Sequence, residues 1–296
     1  MPRRHTIGRG IGILGAFLLV FVMTALLLSS LGGGEQGAGL WSDAVGVIEV
    51  RGVINGADKT IESIRRFAKA DHIRAVVLRV ESPGGGVTPS QEIYRELTRL
   101  KEKKPVIASL GGVAASGGYY IASACSMIIA NPGTITGSIG VIMETVNVQG
   151  LLEKLGVKGV VIKAGTYKDL GSPLRDMSPE EQQILGAMLD DVHKQFISAV
   201  ATGRHMDEAA VQTLADGRVY SGEQALRLGL VDQLGSFQDA ISLAAEKAGI
   251  TGEPQVIRAE KQKRVWWQRL LSAWLGEELW GDGSGVRLLY LGPQLS

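Results

Sequence analysis

Residues 73–87 read IRAVVLRVESPGGGV, and this stretch decides the fold. Its first eight residues are almost continuously apolar, which suits a strand buried on both faces of a parallel sheet. A glycine-rich loop follows. Thr88-Pro89-Ser90-Gln91 then predicts an N-cap, a proline at the first helical position and a glutamine at the third, opening a helix to about Lys103. The same alternation continues on both sides. AVGVIEVRGVI (44–54) predicts a strand and 59–70 a short helix. PVIASL (105–110) predicts the next strand, GGVAASGGYYIASA opens a second helix, and MIIA, SIGVI and GVVIKAG are three further strand candidates. Ser178-Pro179-Glu180-Glu181 is a capping box for a long helix with Ile184, Leu185, Met188, Leu189, Val192, Phe196 and Val200 on one face. Two short helices are expected at Asp207–Leu214 and Ser221–Leu228, before a turn into an extended piece. Strands alternating with helices imply an α/β domain with a mostly parallel sheet.

Before this domain, residues 11–31 (IGILGAFLLVFVMTALLLSSL) carry no charge. Twenty-one helical residues span about 31 Å, the thickness of a bilayer's hydrocarbon core. Arg3, Arg4 and Arg9 precede the run, and the positive-inside rule holds that end in the cytoplasm. A single-pass anchor in the cell (inner) membrane is expected, with the remaining chain extracytoplasmic. A cleaved signal peptide is the competing reading, but its apolar core is usually about 7–15 residues. Residues 32–43 (GGGEQGAGLWSD) read as a flexible tether. Gly32, Gly34 and Gly37 match G-x-G-x-x-G by chance, because a dinucleotide fingerprint must follow a strand and open a helix.

Composition narrows the function. The 296 residues are 45% hydrophobic and 21% charged, enough for a folded core. Thirty-one Lys+Arg against 30 Asp+Glu argue against nucleic-acid binding by bulk charge. One cysteine, Cys125, excludes an intramolecular disulfide or a multi-cysteine metal site, and it reads as a small buried residue. Four histidines (His5, His72, His193, His205) leave little for a metal cluster, and no cofactor motif is present.

Two glycine-rich loops follow predicted strands, where parallel α/β sheets carry their sites. Ser82-Pro83-Gly84-Gly85-Gly86 can converge backbone N–H groups on a phosphate or an oxyanion; the plainer reading is a tight turn. In the second loop, Gly111–Gly118, Ser116 has only small neighbours, as a crowded nucleophile elbow requires. The G-x-S-x-G form is not met, and a helix-packing serine is the alternative. A nucleophilic serine needs a base. No histidine lies in a strand-end loop with suitable company, and His193 and His205 read as a helix-face and a loop residue. Lysine is the alternative base if its pKa is lowered. Lys163 and Lys168, in VVIKAGTYKDLGSP, are candidates between which spacing alone does not choose.

SPGGG, AASGGYYIA, TGSIGVI, AGTYKDLGSP and DGRVYSGEQALRLGLVDQLG occur in this order and at these spacings in the signal peptide peptidase A family, and residues 44–250 resemble its short, single-repeat form. The resemblance implies a ClpP/crotonase-like superhelix of ββα units. It implies a Ser-Lys dyad with Ser116 as nucleophile and Lys168, rather than Lys163, as general base. Backbone amides of Gly84, Gly85 and Gly117 would form the oxyanion hole. Thr136, Gly137, Ser138 and Ile139 are candidates for the substrate groove. The implied activity is hydrolysis of cleaved signal peptides in or at the membrane, without a cofactor. The resemblance further implies a homo-oligomer whose dyad is shared between adjacent subunits.

The expected organisation is a basic end (1–10), an anchor (11–31), a tether (32–43), the peptidase domain (44–256) and a tail (257–296). Residues 263–280 hold four of the five tryptophans. Trp267, Leu270, Leu271 and Trp274 share a helical face beside basic residues, which suits a membrane interface or packing on protein. The final VRLLYLGPQLS is either a strand or a built-in peptide in a substrate groove. Two rival functions share these features: a crotonase-type acyl-CoA enzyme, and a membrane-tethered peptide-binding scaffold without catalysis.

Overall fold

The computed structural model describes residues 23–24, 43–259 and 289–291. Apart from Met23 and Thr24, the expected anchor and tether up to residue 42 lie outside the described residues, and so does the tryptophan-rich stretch. Among the described residues no helix is long and apolar enough to cross a membrane.

From Asp43 the chain forms one unit. Its elements run β1 (Ala44–Arg51), α1 (Asp58–Lys69), β2 (Ile73–Ser82), β3 (Gly84–Gly86), α2 (Val87–Lys101), β4 (Val106–Ala115), α3 (Gly117–Ser123), β5 (Met127–Ala130) and β6 (Ile135–Gly137). Then come α4 (Gln149–Lys154), α5 (Pro179–Arg204), α6 (Glu208–Leu214), β7 (Val219–Ser221), α7 (Gly222–Arg227), β8 (Gln233–Leu234), α8 (Phe237–Lys247), β9 (Gln255–Arg258) and β10 (Leu289–Leu291). The main sheet is ordered β7-β6-β4-β2-β1-β9, with β5 and β8 continuing from β4, and every pair is parallel except β6 with β7.

The apolar run of β2 is buried as its sequence demands. Val76, Leu78 and Val80 face the larger core under α1, α2 and α3, while Ala75 and Val77 face α8 through Ala240, Ile241, Ala244 and Ala245. Both faces are therefore covered, and alternation disappears from the sequence because each side of the pleat is apolar. Phe196, Val200 and Ala201 bring the C-terminal half of α5 into the larger core, where the Phe196 ring packs 4.9 Å from Tyr120. Truncating a buried ring of this kind costs about 3–5 kcal/mol.

β4 gives the sheet a fork. Residues 107–110 pair with β5 on one edge, and residues 113–115 pair with β6 on the same edge. On its other edge β4 follows β2, with Val80 opposite Leu110 and Ser82 opposite Ala114. Two extra residues are accommodated in β4 across that interval, a bulge that re-aims the strand end carrying Ser116.

Several expectations are corrected. The helix after the first glycine loop is α2, starting at Val87 with Gly86 at its N-cap, not Thr88, and no side chain caps it; Ser90 Oγ instead donates to Gly86 O at 2.8 Å. The strand expected at 138–142 lies earlier, at 135–137, because those residues find the β4 edge created by the bulge. GVVIKAG (159–165) is not a strand: it pairs with no strand among the described residues, and Val160 and Ile162 stand 82% and 96% exposed. The capping box of α5 forms in both directions between Ser178 and Glu181, as read. Its apolar stripe is buried only from Phe196 onward, and Ile184 and Met188 remain exposed.

Candidate active site

Ser116 sits between the end of β4 and the first turn of α3 at φ 52°, ψ −119°. A non-glycine residue held there costs on the order of 1–3 kcal/mol. The turn is fixed from both sides: Ser116 N–H donates to Gly137 O at 2.8 Å, and Ser116 O accepts from Tyr120 N–H at 2.8 Å. Small neighbours are obligatory, since a Cβ on Gly118 would lie 2.8 Å from Ser82 O. α3 is anchored below by Tyr119, whose hydroxyl donates to Leu230 O at 2.8 Å. The Ser116 side chain is fully buried, and its Oγ has no hydrogen-bond partner. A buried polar atom in that condition costs about 1–3 kcal/mol, which a base or substrate group can relieve.

The first glycine loop lies against this turn. Ser82 Oγ accepts from Gly84 N–H at 3.1 Å, and Gly84 has φ 111°, open to glycine alone. Gly84 O and Gly86 N–H both bond Ile54, each at 2.8 Å. Strand alternation therefore turns the Gly85 amide to the opposite edge. Gly85 has no room for a side chain, because a Cβ would lie 2.4 Å from Ile54 O. On that opposite edge, β10 runs antiparallel with Leu291, Tyr290 and Leu289 opposite Gly84, Gly85 and Gly86. The tail thus forms a strand, and it forms it on the loop beside Ser116. The Gly84 N–H is taken by Ser82, the Gly85 N–H faces the edge that β10 covers, and Gly117 carries the first N–H of α3.

Thr136, Gly137, Ser138 and Ile139 form the wall behind Ser116. Thr136 is fully buried and donates its hydroxyl to Ala114 O at 2.7 Å. Gly137 (φ 78°) packs under the Tyr220 ring, Ser138 (φ 51°) donates its N–H to Arg218 O at 2.8 Å, and Ile139 is fully buried. The wall's backbone supports the nucleophile turn directly, through Gly137 O.

Lys168 is not brought to Ser116 within one chain. It lies exposed in a turn whose backbone closes with Lys168 N–H on Gly165 O at 3.2 Å. Lys163 is committed elsewhere, donating to Thr166 O at 2.8 Å and pairing with Asp169. The turn is fastened to the start of α5 by Arg175, which reaches Asp169 Oδ2 and Glu181 Oε2, each at 2.8 Å. Arg175, and then Lys163, hold the Asp169 carboxyl well below the usual carboxylate range, and Arg175 lowers Glu181 to about 2. Carboxyls depressed by folding stabilise the turn fully above their unfolded pKa near ~4, and that support is lost as pH falls through the folded values. Protection of the amides at residues 165–175, taken relative to their intrinsic exchange rates, is expected to hold from neutral pH to about 4 and to fall towards about 2. Protection lost already between about pH 7 and 5 would contradict this coupling.

Other nucleophile and base candidates fall away. Burial pushes the Cys125 thiol up to about 12, so thiolate is scarce at neutral pH. His193 is a partly covered residue on α5, and His205 is the left-handed C-cap of that helix. No histidine bonds the Ser116 hydroxyl. Sequence reading missed the β4 bulge and the residue filling it, Glu81; the visible signal was an acidic residue directly before SPGGG and a glycine pair in the strand opposite.

The profile of peptidase family S49 matches residues 98–251, and that of Clp protease matches residues 51–132. A protein named as a protease in Synechocystis sp. is 50% identical over 204 residues, covering 69% of this chain and 74% of its own length. One named as signal peptide peptidase SppA in Enterococcus faecium is 38% identical over 220 residues, covering 74% of this chain and 62% of its own. Protease 4 of Salmonella typhi is 40% identical over 194 residues, which cover 65% of this chain and 31% of that longer protein. Among solved structures, a membrane-bound stomatin-specific protease covers 75% of this chain and 99% of its own with a TM-score of 0.50. At 17% identity that likeness speaks for the α/β fold alone.

Proposed function

Because the chain belongs to peptidase family S49 and is a serine peptidase, we propose that Ser116 is its nucleophile and Lys168 its general base. The observation that carries this is Ser116 itself: strained, buried, with its hydroxyl unpartnered, and set at the end of β4 with the first glycine loop against it. Lys168 Nζ accepts the hydroxyl proton as Oγ attacks the scissile carbonyl carbon. The Gly85 and Gly117 amides stabilise the resulting oxyanion, with Gly84 shaping the loop. Collapse of the tetrahedral intermediate breaks the C–N bond, and the lysine ammonium returns its proton to the leaving amine. Lys168, neutral again, takes a proton from water as its oxygen attacks the acyl carbon, and returns that proton to Ser116 Oγ as the ester C–O bond breaks and the acid leaves. Serine peptidase membership sets aside the acyl-CoA and scaffold readings.

The base comes from a second copy of the chain. The arm carrying Lys168 exposes Val146, Leu155, Val160 and Ile162, an apolar surface that a lone domain would not leave in water. A neighbouring subunit covers it and receives Lys168 beside its own Ser116. The substrate is an extended apolar peptide that takes the place of β10 on the edge of β3, and remnants of cleaved signal peptides suit such an edge. Residues 11–31 would anchor the protein in the cell membrane, where such remnants arise.

The test is labelling by a serine-directed fluorophosphonate, with the modified residue identified by mass spectrometry. A single adduct on Ser116 is expected, formed faster in a chain truncated before Val286, which clears β10 from the β3 edge. An adduct elsewhere, with Ser116 unmodified, would overturn the assignment.

A further inference from the structure

We propose that Glu81 is a positioning residue of the active site, a carboxylate clamp that sets the strand carrying the nucleophile; the proposal rests on Ser116 being that nucleophile. Between Val80 and Ser82, β2 has one residue, Glu81, where β4 has three, Gly111, Gly112 and Val113. The two surplus residues would leave backbone groups without ladder partners, and the Glu81 side chain supplies them. Its carboxylate accepts from Gly112 N–H and from Val113 N–H, each at 3.1 Å. Charge-assisted acceptance of two amides is a stronger tie than an ordinary ladder bond.

The rest of the bulge is built around the same carboxylate. Gly111 leaves its space open for Glu81, since a Cβ there would lie 1.7 Å from Oε2. The Gly111 carbonyl is turned away and accepts from Thr134 Oγ1 at 2.7 Å. Arg79 stands behind, 3.7 Å from Glu81 Oε2, and donates to Ser109 Oγ at 3.0 Å and Leu110 O at 3.3 Å. Beyond the bulge, β4 re-enters register with Ser82 on one side and with β6 on the other, and Ser116 follows within three residues of Val113. Glu81 also borders the first loop: its carbonyl accepts from Gly52 N–H at 2.9 Å, and its chain neighbour Ser82 holds Gly84. One side chain therefore ties β4, which leads to the nucleophile, to β2, which leads into the loop carrying the Gly85 amide. Relative placement of these two parts governs the attack geometry, and a misplacement of about 1 Å can cost on the order of 100-fold in rate.

The test uses the full chain, with kcat and KM for a fluorogenic peptide, phosphonate labelling rate and subunit assembly measured for Glu81→Ala, Glu81→Gln, Gly111→Ala and the Glu81→Ala/Gly111→Ala pair. Glu81→Ala is expected to lower kcat and labelling rate by about 100-fold while KM stays within about two-fold and assembly persists. Glu81→Gln keeps one acceptor oxygen and should recover part of the loss. Gly111→Ala evicts the carboxylate and should match Glu81→Ala, and the pair should cost no more than either single change, because both remove one interaction. A merely structural residue would lower stability and leave kcat per assembled site unchanged, and that result overturns the proposal. Additive losses in the pair overturn it as well. Labelling that survives Ser116→Ala overturns the nucleophile assignment and this proposal together, whereas labelling lost in Ser116→Ala yet unchanged in Glu81→Ala overturns the clamp alone.

Discussion

Ser116→Ala is expected to reduce peptide hydrolysis by roughly 10³-fold or more, and Lys168→Ala by a similar factor, with subunit assembly intact in both. Removing either member of a nucleophile–base pair costs about as much as removing both, since neither works alone. The structure makes assembly tolerant of the first change: Ser116 Oγ has no hydrogen-bond partner to lose, and the turn is held by main-chain bonds to Gly137 and Tyr120. Lys168 is exposed, so its truncation should leave the fold of one chain unaffected. Lys163→Ala is the informative control. Its ammonium is already held by Thr166 O and Asp169, so the change should loosen the turn and lower activity far less than Lys168→Ala. Hydrolysis that survives Lys168→Ala but not Lys163→Ala would reverse the assignment of the base.

Gly85→Ala is the second large effect, and it acts through the backbone. The added Cβ would lie 2.4 Å from Ile54 O, 2.5 Å from Ile54 N and 2.7 Å from Ile54 C, all main-chain atoms that cannot rotate aside. β3 must then separate from Ile54, breaking the two 2.8 Å bonds that align it. Overpacking of this kind costs about 1–3 kcal/mol, and displacing one oxyanion donor costs about 10²–10³-fold in kcat. Gly86→Ala is the contrast, because its nearest obstacle is the Pro89 ring at 3.0 Å, a side chain that can shift by a few tenths of an ångström. Thermal melts with kcat for the two variants should separate them by at least about tenfold in rate. Equal activities would show that the Gly85 amide has no part in catalysis.

What the sequence made legible follows from which signals are local. The buried run of β2 and the α5 capping box are written in contiguous residues and agree with the structure within a residue or two, whereas β4 runs on through the expected glycine loop to Ala115, five residues past its expected end, and its helix starts only at Gly117. The pairing of Ser116 with Lys168 is not written locally, because the two stand 52 positions apart and one chain does not bring them together. It entered through family resemblance. GVVIKAG reads as a strand because β-branched apolar residues suit any covered surface, and here the segment stays exposed and pairs with no strand among the described residues. The β4 bulge was hidden for another reason. Register depends on two strands at once, so the role of Glu81 shows only when Gly111 and Gly112 are placed opposite it. The α2 start moved for a similar cause: Gly86, bonded to Ile54 in the extended conformation, fixes where the helix can begin, overriding the capping signal at Thr88.

The measurement that tests the central claim most directly is activity in mixtures of inactive subunits. Ser116→Ala chains and Lys168→Ala chains are unfolded together, refolded together and assayed against each mutant alone. With the dyad completed between adjacent subunits, random mixing gives some neighbouring pairs an intact Ser116 facing an intact Lys168. The account predicts that the mixture regains a substantial fraction, on the order of one quarter, of wild-type hydrolysis while each mutant alone stays inactive. Mixed assemblies that form normally and remain inactive would contradict a site shared between two copies of this chain.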